Sequence, residues 1–106
     1  MKDFTEESRV EFVGLHDLEA FDKSNAIDTA NRSFEKIKKI TKHETRLVIH
    51  IKIHEVEGKR KKWSIHSKLF VPGTFLESSH VEWDLMAALQ KSLSVLEKEV
   101  IKKLKK

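Results

Sequence analysis

Histidine and lysine side chains alternate with apolar residues through both halves of residues 46–71 in this 106-residue chain. Neutral imidazoles bind zinc, copper or nickel, whereas lysines and partly protonated histidines attract phosphate. The pattern therefore fits a metal site, a surface facing an anion or RNA, or the hydrated side of a sheet without a specific role. The alternate positions hold His50, Lys52, His54, Lys62, Ser64, His66 and Lys68.

A metal site is the weakest of these interpretations. The neighbouring lysines repel a cation, and no carboxylate obviously completes a set of ligands. Three imidazoles would meet only if the strand register brought His50, His54 and His66 together, and the sequence leaves that register open. We therefore predict neither a metal nor another cofactor.

Catalytic patterns are also weak. His16 and Asp17 are adjacent, and neighbours in sequence rarely form a working dyad. Glu82 and Asp84 fall at the start of a predicted helix, where acidic residues are expected for electrostatic reasons. The sequence contains no nucleophile elbow, no phosphate-binding glycine loop, no cysteine and no tyrosine. We therefore predict that the protein is not an enzyme.

Strands are indicated by a period of two. Residues 46–71 predict a hairpin that turns at Glu57–Lys61 and ends at Pro72-Gly73. Arg9–Leu15 predicts a short strand, and Thr74–His80 a weaker one with Phe75 or Leu76 inward. The inward positions of the first strand and the hairpin are Val10, Phe12, Leu47, Ile49, Ile51, Ile53, Trp63, Ile65, Leu69 and Val71.

Two helices are indicated by apolar residues at helical spacing. The first is predicted to be capped by Ser24 or Asn25, and the second by a capping box over Ser79–Glu82. The first has Ile27, Ala30, Phe34, Ile37 and Ile40 on its apolar face, and Arg32, Lys36, Lys39 and Lys42 opposite. The apolar face of the second is formed by Leu85, Leu89, Leu93, Leu96, Val100 and Leu104.

The resulting order, β-α-β-β-β-α, predicts the α+β class. Each helix and each strand has one apolar face, so the economical packing is a two-layer sandwich, with both helices on one face of a four-stranded sheet. His50, Lys52, His54, His66 and Lys68 would then lie on the open face or near its edge. We expect one domain over residues 1–106, with residues 1–8 a flexible acidic leader. Trp63 is expected in the core, and Trp83 against the sheet edge rather than on a base.

The net charge of +4 is unevenly distributed. Residues 1–24 hold three basic and seven acidic residues, a net of −4, and residues 25–106 carry a net of +8. The basic part can attract a polyanion, and Lys59, Arg60 and Lys61 would form an RNA-contacting tip. No apolar run approaches membrane-spanning length, and the N-terminus is not a secretory signal. The absence of cysteine fits a reducing compartment, so we expect a cytoplasmic protein.

The segment His80–Gln90, HVEWDLMAALQ, followed by a lysine-rich helix, resembles the family of ribosome hibernation-promoting and ribosome-associated inhibitor proteins. Members of that family typically open their last helix with Asp-hydrophobic-Tyr-Ala-Ala-Ile-Asp, which here reads DLMAALQ. Met86 stands in place of the tyrosine and Gln90 in place of the final aspartate. The hairpin, the first strand and the first helix also fall where that family has them.

This resemblance implies a protein that binds the small ribosomal subunit in the messenger and transfer-RNA channel and silences idle ribosomes without catalysis. Basic helix surfaces would contact ribosomal RNA through phosphates, with little base specificity. The residues at matching positions are Arg32, Lys36, Lys39 and Lys42 on the first helix and Lys91, Lys98 and Lys102 on the second.

Two alternatives stay open. The order of elements contains the α-β-β-β-α order of double-stranded-RNA-binding domains, so a generic RNA-binding protein is one. The other is a protein-interaction module, for example a homodimer that pairs through a sheet edge or the open face. In that case Val48 and Phe70, which share the outward side with the histidines, would belong to the contact patch.

Overall fold

The computed structural model describes residues 9–42, 44–55, 58 and 61–104. The predicted order of elements is confirmed: β1 (Val10–Val13), α1 (Ala20–Thr41), β2 (Arg46–Glu55), β3 (Lys61–Val71), β4 (Thr74–Glu82) and α2 (Leu85–Leu104). A 3₁₀ turn over Leu15–Asp17 joins β1 to α1. The predicted leader, residues 1–8, lies outside the described residues, and the extent of the domain stays a prediction.

The four strands form one sheet in the order β1-β2-β3-β4. β1 runs parallel to β2, with Val10 beside Leu47, because α1 carries the chain back to the starting end of the sheet. β3 is antiparallel to both β2 and β4. Because β2, β3 and β4 are consecutive in the chain and each is antiparallel to its neighbour, this part of the sheet is a simple meander.

The core lies between one face of this sheet and the two helices. α1 packs on α2 and β1, and α2 packs on β3 and β4. Both helices therefore cover the same face, as predicted, and none of the described helices or strands covers the opposite face, the open face. The largest fully buried side chains include Phe34 and Ile37 of α1, Leu47, Ile49, Ile65 and Leu69 of the sheet, and Leu89, Leu93 and Leu96 of α2.

A small polar cluster interrupts the apolar packing between the sheet and α2. The Ser78 hydroxyl donates to the Ser92 carbonyl oxygen over 2.7 Å, and the Ser92 hydroxyl donates to Ser67 Oγ over 2.9 Å. Ser67 and Ser92 are fully buried. Because each hydroxyl has a partner, a serine is tolerated at an inward position of β3.

The predicted start of α1 was wrong. The helix begins at Ala20, and Glu19 is its N-cap residue, without a side-chain cap hydrogen bond. Ser24 and Asn25 lie inside the helix, although they were expected to cap it. Burial of Leu18 fixes the chain just before the helix, and this tertiary contact outweighs the modest capping preference of a serine or asparagine.

The capping box predicted for α2 was also wrong. Ser79–Glu82 belongs to β4, because antiparallel pairing with β3 continues as far as Glu82 beside Trp63. Asp84 caps the helix instead: its Oδ2 accepts a hydrogen bond from the Ala87 amide over 2.9 Å. β4 is therefore longer than expected. Of its two candidate inward residues, Leu76 is buried and Phe75 faces out.

Lys61 was predicted to lie in the hairpin turn, but it is the first residue of β3 and is paired with Glu55. The turn at Pro72-Gly73 is confirmed. Trp63 is partly buried and packs against the core. The Trp83 ring lies beside β3, with the Lys62 ammonium 4.9 Å from its centroid, but 44% of the residue stays exposed.

Candidate nucleic-acid interface

The C-terminal half of α1 presents a stripe of cations. Arg32, Lys36 and Lys39 recur at intervals of four and three residues, which places them on one side of the helix, and all three are exposed. Phe34 and Ile37, on the other side, are buried. The burial of the apolar side therefore forces these cations outward. Residues 32–42 hold five basic residues and one acidic residue, a net charge of +4.

Lys42 ends α1. It is the C-cap residue, in a left-handed conformation with φ of 56°, and its amide donates to the Lys38 carbonyl oxygen over 3.0 Å. Its side chain is exposed. Cations at the C-terminal end of a helix are stabilised by the helix dipole, so the charge of Lys42 also stabilises α1.

A groove of about 480 Å³ separates the outer surfaces of the two helices. Arg32 and Lys36 line it from α1, and Gln90, Ser94 and Glu97 line it from α2. The Ser33 hydroxyl donates to Glu97 Oε2 over 2.6 Å and so links the helices across its floor. The groove thus places Arg32 and Lys36 near the neutral polar side chains of Gln90 and Ser94. The one carboxylate in its lining, Glu97, already accepts a hydrogen bond from Ser33.

The predicted cations of α2 form a second, separate stripe. Lys91, Lys98 and Lys102 are exposed on that helix, outside the lining of the groove. The Lys91 ammonium pairs with Glu82 over 2.8 Å, which neutralises part of its charge. The structure therefore keeps the predicted cations of the two helices in two stripes, and Lys91 of the α2 stripe already has a carboxylate partner.

The predicted tip of the hairpin is only partly described. Lys59 and Arg60 lie outside the described residues. Lys61 is exposed at the start of β3. It extends from the end of the sheet rather than from the helix layer.

The open sheet face carries His50, Lys52, His54, His66 and Lys68, as predicted. His50 and His66 are directly paired, with ring centroids 6.2 Å apart. His54 is instead paired with Lys62, so the register keeps the third imidazole away from the other two. Across the described ranges no group of three or more histidines and carboxylates could hold a metal ion. The His66 ring pairs with Glu77 over 2.8 Å.

Phe70 on this face is surrounded by an aromatic ring and cations. The Phe75 ring lies 6.1 Å away between centroids, and the Arg46 guanidinium lies 4.8 Å from the Phe70 centroid. Sequence reasoning missed Phe75 as a surface residue, because it left Phe75 and Leu76 as equal candidates for the core. The signal was available: a tight turn at Pro72-Gly73 pairs Phe70 with Phe75 and sends both rings to the same side.

In the part of the chain that the structure describes, neither helix has the length and apolar character required to cross a membrane. No family model matches the sequence, and no curated protein matches it either. A crystal structure of the N-terminal domain of Protein Y from Thermus thermophilus is similar, with a TM-score of 0.57 and 16% sequence identity. The match covers 81% of this chain and 88% of that chain. This chain therefore shares the fold of that domain.

Proposed function

We propose that the protein is a non-catalytic, ribosome-associated protein of the cytoplasm that binds ribosomal RNA of the small subunit, chiefly through α1. The observation that carries the proposal is the exposed stripe of Arg32, Lys36 and Lys39 on a helix half with a net charge of +4. The fold shared with the N-terminal domain of Protein Y is compatible with it. The resemblance of Asp84–Gln90 points to the family of ribosome hibernation-promoting proteins.

The physical basis is attraction between exposed cations and phosphates. Three side chains spaced along one side of a helix span roughly 10 Å, so they can contact successive phosphates of a folded RNA. Phosphate contacts fix position without reading bases. The expected complex is therefore salt-sensitive and selects RNA shape, which fits a protein that recognises one place in a large folded RNA.

The remaining cations have secondary roles in this proposal. Lys42 extends the α1 stripe at its C-terminal end. Lys91, Lys98 and Lys102 offer a second line of contacts from α2, and Lys59, Arg60 and Lys61 would contact RNA from the end of the hairpin. Occupation of the messenger and transfer-RNA channel would prevent translation, so the proposed activity is inhibition of idle ribosomes.

The test is co-sedimentation of the purified protein with small ribosomal subunits across a salt series. Lys36→Glu with Lys39→Glu should weaken binding at least about tenfold, because two attractive phosphate contacts become repulsive. The matched control is Arg9→Glu with Lys23→Glu, which changes the net charge by the same amount outside the stripe. We expect the control to retain binding within about threefold, since bulk charge alone has a weaker, screened effect.

Equal losses in the two double variants would overturn the assignment of α1, because net charge alone would then account for binding. Absence of binding at low salt would overturn the ribosomal proposal itself. Sedimentation of the free protein would then test the alternative of a homodimer.

A further inference from the structure

The open sheet face has a different composition from the helix layer. The pairing of β2 with β3 places four permanent cations on this side of the sheet: Arg46, Lys52, Lys62 and Lys68. Glu11 and Glu77 are the carboxylates that the described strands direct to it, and Glu77 is already paired with His66. The face is therefore net positive among the described residues, with imidazoles between the lysines.

Aromatic rings lie at one end of this face. Phe75 is 46% exposed although it is a large apolar side chain. The Lys68 ammonium lies 4.7 Å from the Phe75 centroid and 5.9 Å from that of Phe70, and Arg46 lies over Phe70. Rings and cations are thus intermixed, so that one ligand could contact both.

A second ring with a cation lies at the other end. Trp83 is 44% exposed, and the Lys62 ammonium lies 4.9 Å from its ring centroid. Lys62 and Phe70 are eight positions apart on β3, which corresponds to roughly 26 Å of extended strand. Between the two ends run the paired His50 and His66 and, on β2, Lys52. The open face therefore has aromatic side chains at both ends and basic side chains between them.

We propose that the open sheet face binds single-stranded RNA, whose bases stack on Phe75 and Trp83 while Arg46, Lys52 and Lys68 contact its phosphates. This goes beyond the helix-layer contact with folded ribosomal RNA, because it is a second site on the opposite side of the molecule. Exposed rings stack on the unpaired bases of a single strand, which are available, whereas the bases of a duplex are already stacked.

The charges argue against a second copy of this chain as the occupant. A two-fold pairing of the open faces would bring two net-positive surfaces together, and like charges oppose such contact. A polyanion gains from the same charges. When a base stacks on Phe75, the Lys68 ammonium leaves the ring. It can then pair with a phosphate of the bound strand, so its charge still contributes to binding.

The test measures fluorescence anisotropy of a labelled oligouridine of about ten nucleotides, which has little structure of its own. Phe75→Ala should weaken binding about tenfold, as expected for the loss of a stacked base. The matched control is Phe21→Ala, which removes the same side chain from a site on α1 that is 75% exposed. The control should change affinity less than about twofold, and circular dichroism checks that both variants fold.

Two further measurements separate stacking from charge or shape. Phe75→Trp should preserve binding and Phe75→Leu should weaken it, because only the tryptophan retains a ring. Inorganic polyphosphate should bind the wild-type protein and Phe75→Ala equally well, since it has charge without bases. Equal losses with Phe21→Ala, or a parallel loss of polyphosphate binding in Phe75→Ala, would overturn the proposal. A shift of the RNA-free protein from dimer to monomer in Phe75→Ala would assign the face to a second copy instead.

Discussion

The helix layer and the open sheet face are both positive, yet they present their charge differently. On α1 the cations stand in a line along one side of the helix. On the sheet, Lys68 and Arg46 lie over the rings of Phe70 and Phe75. The first arrangement suits a row of phosphates on a rigid, folded RNA. The second suits a flexible strand that offers a base and a phosphate together.

The difference follows from how each element is covered. α1 buries its apolar side against the sheet and α2, so only its polar side meets solvent. The outward residues of the sheet are not covered by any described element, so rings that point outward, such as Phe75, remain partly exposed. Cations over those rings shield apolar area from water. The same sequence thus makes two positive surfaces with distinct ligand preferences.

The largest effect should come from Phe34→Ala, which tests whether the two surfaces depend on one core. Phe34 is 1% exposed beneath the α1 stripe. Loss of its ring should lower the free energy of unfolding by about 3–5 kcal/mol, since the cavity adds to the lost burial. Urea unfolding measures this. Ribosomal-subunit and oligouridine binding should fall together in proportion to the unfolded fraction; loss of one alone would show that the surfaces are stabilised separately.

A smaller loss of stability is expected when Gly14 or Gly73 is replaced by alanine. Gly14 precedes the helix layer, and Gly73 lies in the turn beside the open sheet face. A Cβ at Gly14, before α1, would lie 2.3 Å from the Ile51 carbonyl oxygen, whereas a Cβ at Gly73, beside the Phe70–Phe75 pair, meets nothing within 4 Å. Both glycines have positive φ, which a substituted residue adopts at a cost of about 1–2 kcal/mol.

Gly14→Ala should therefore destabilise the protein by about 2–4 kcal/mol, because the backbone clash adds to the strain, and Gly73→Ala by only about 1–2 kcal/mol. Thermal unfolding compares the two directly. If Gly73→Ala were the more harmful, the turn at the end of β3 would matter more for folding than the β1–α1 connection, contrary to the packing seen here.

The salt dependence of RNA binding should change least in free energy, but it distinguishes the helix layer from the open sheet face most clearly. Lys36→Gln with Lys39→Gln should lower the slope of log affinity against log salt by about 1.4–1.8 on ribosomal subunits, because each phosphate contact contributes about 0.7–0.9. Phe75→Ala should weaken oligouridine binding with little change of slope, since stacking releases no counterions. Titrations at four salt concentrations distinguish the two; a clear drop of slope in Phe75→Ala would mean that the ring acts through its neighbouring cations.

The sequence determined much of this protein by itself. The change from a period of two to helical spacing gave the element order, and the resemblance of Asp84–Gln90 pointed to the fold that Protein Y shares. Apolar stripes on both helices required one covered face and one open face. These features are local or follow from burial of apolar area, so a single chain reveals them.

Other features were decided by tertiary structure alone. Pairing of β4 with β3 absorbed Ser79–Glu82 into the sheet and moved the cap of α2 to Asp84. Register separated His54 from the His50–His66 pair, and the packing of α1 on α2 kept their lysines in two stripes. Pairing partners and helix packing depend on contacts between distant segments, whose free energies exceed local preferences of about 1 kcal/mol. Residue types therefore set which chemistry was present, and the fold decided which side chains could act together.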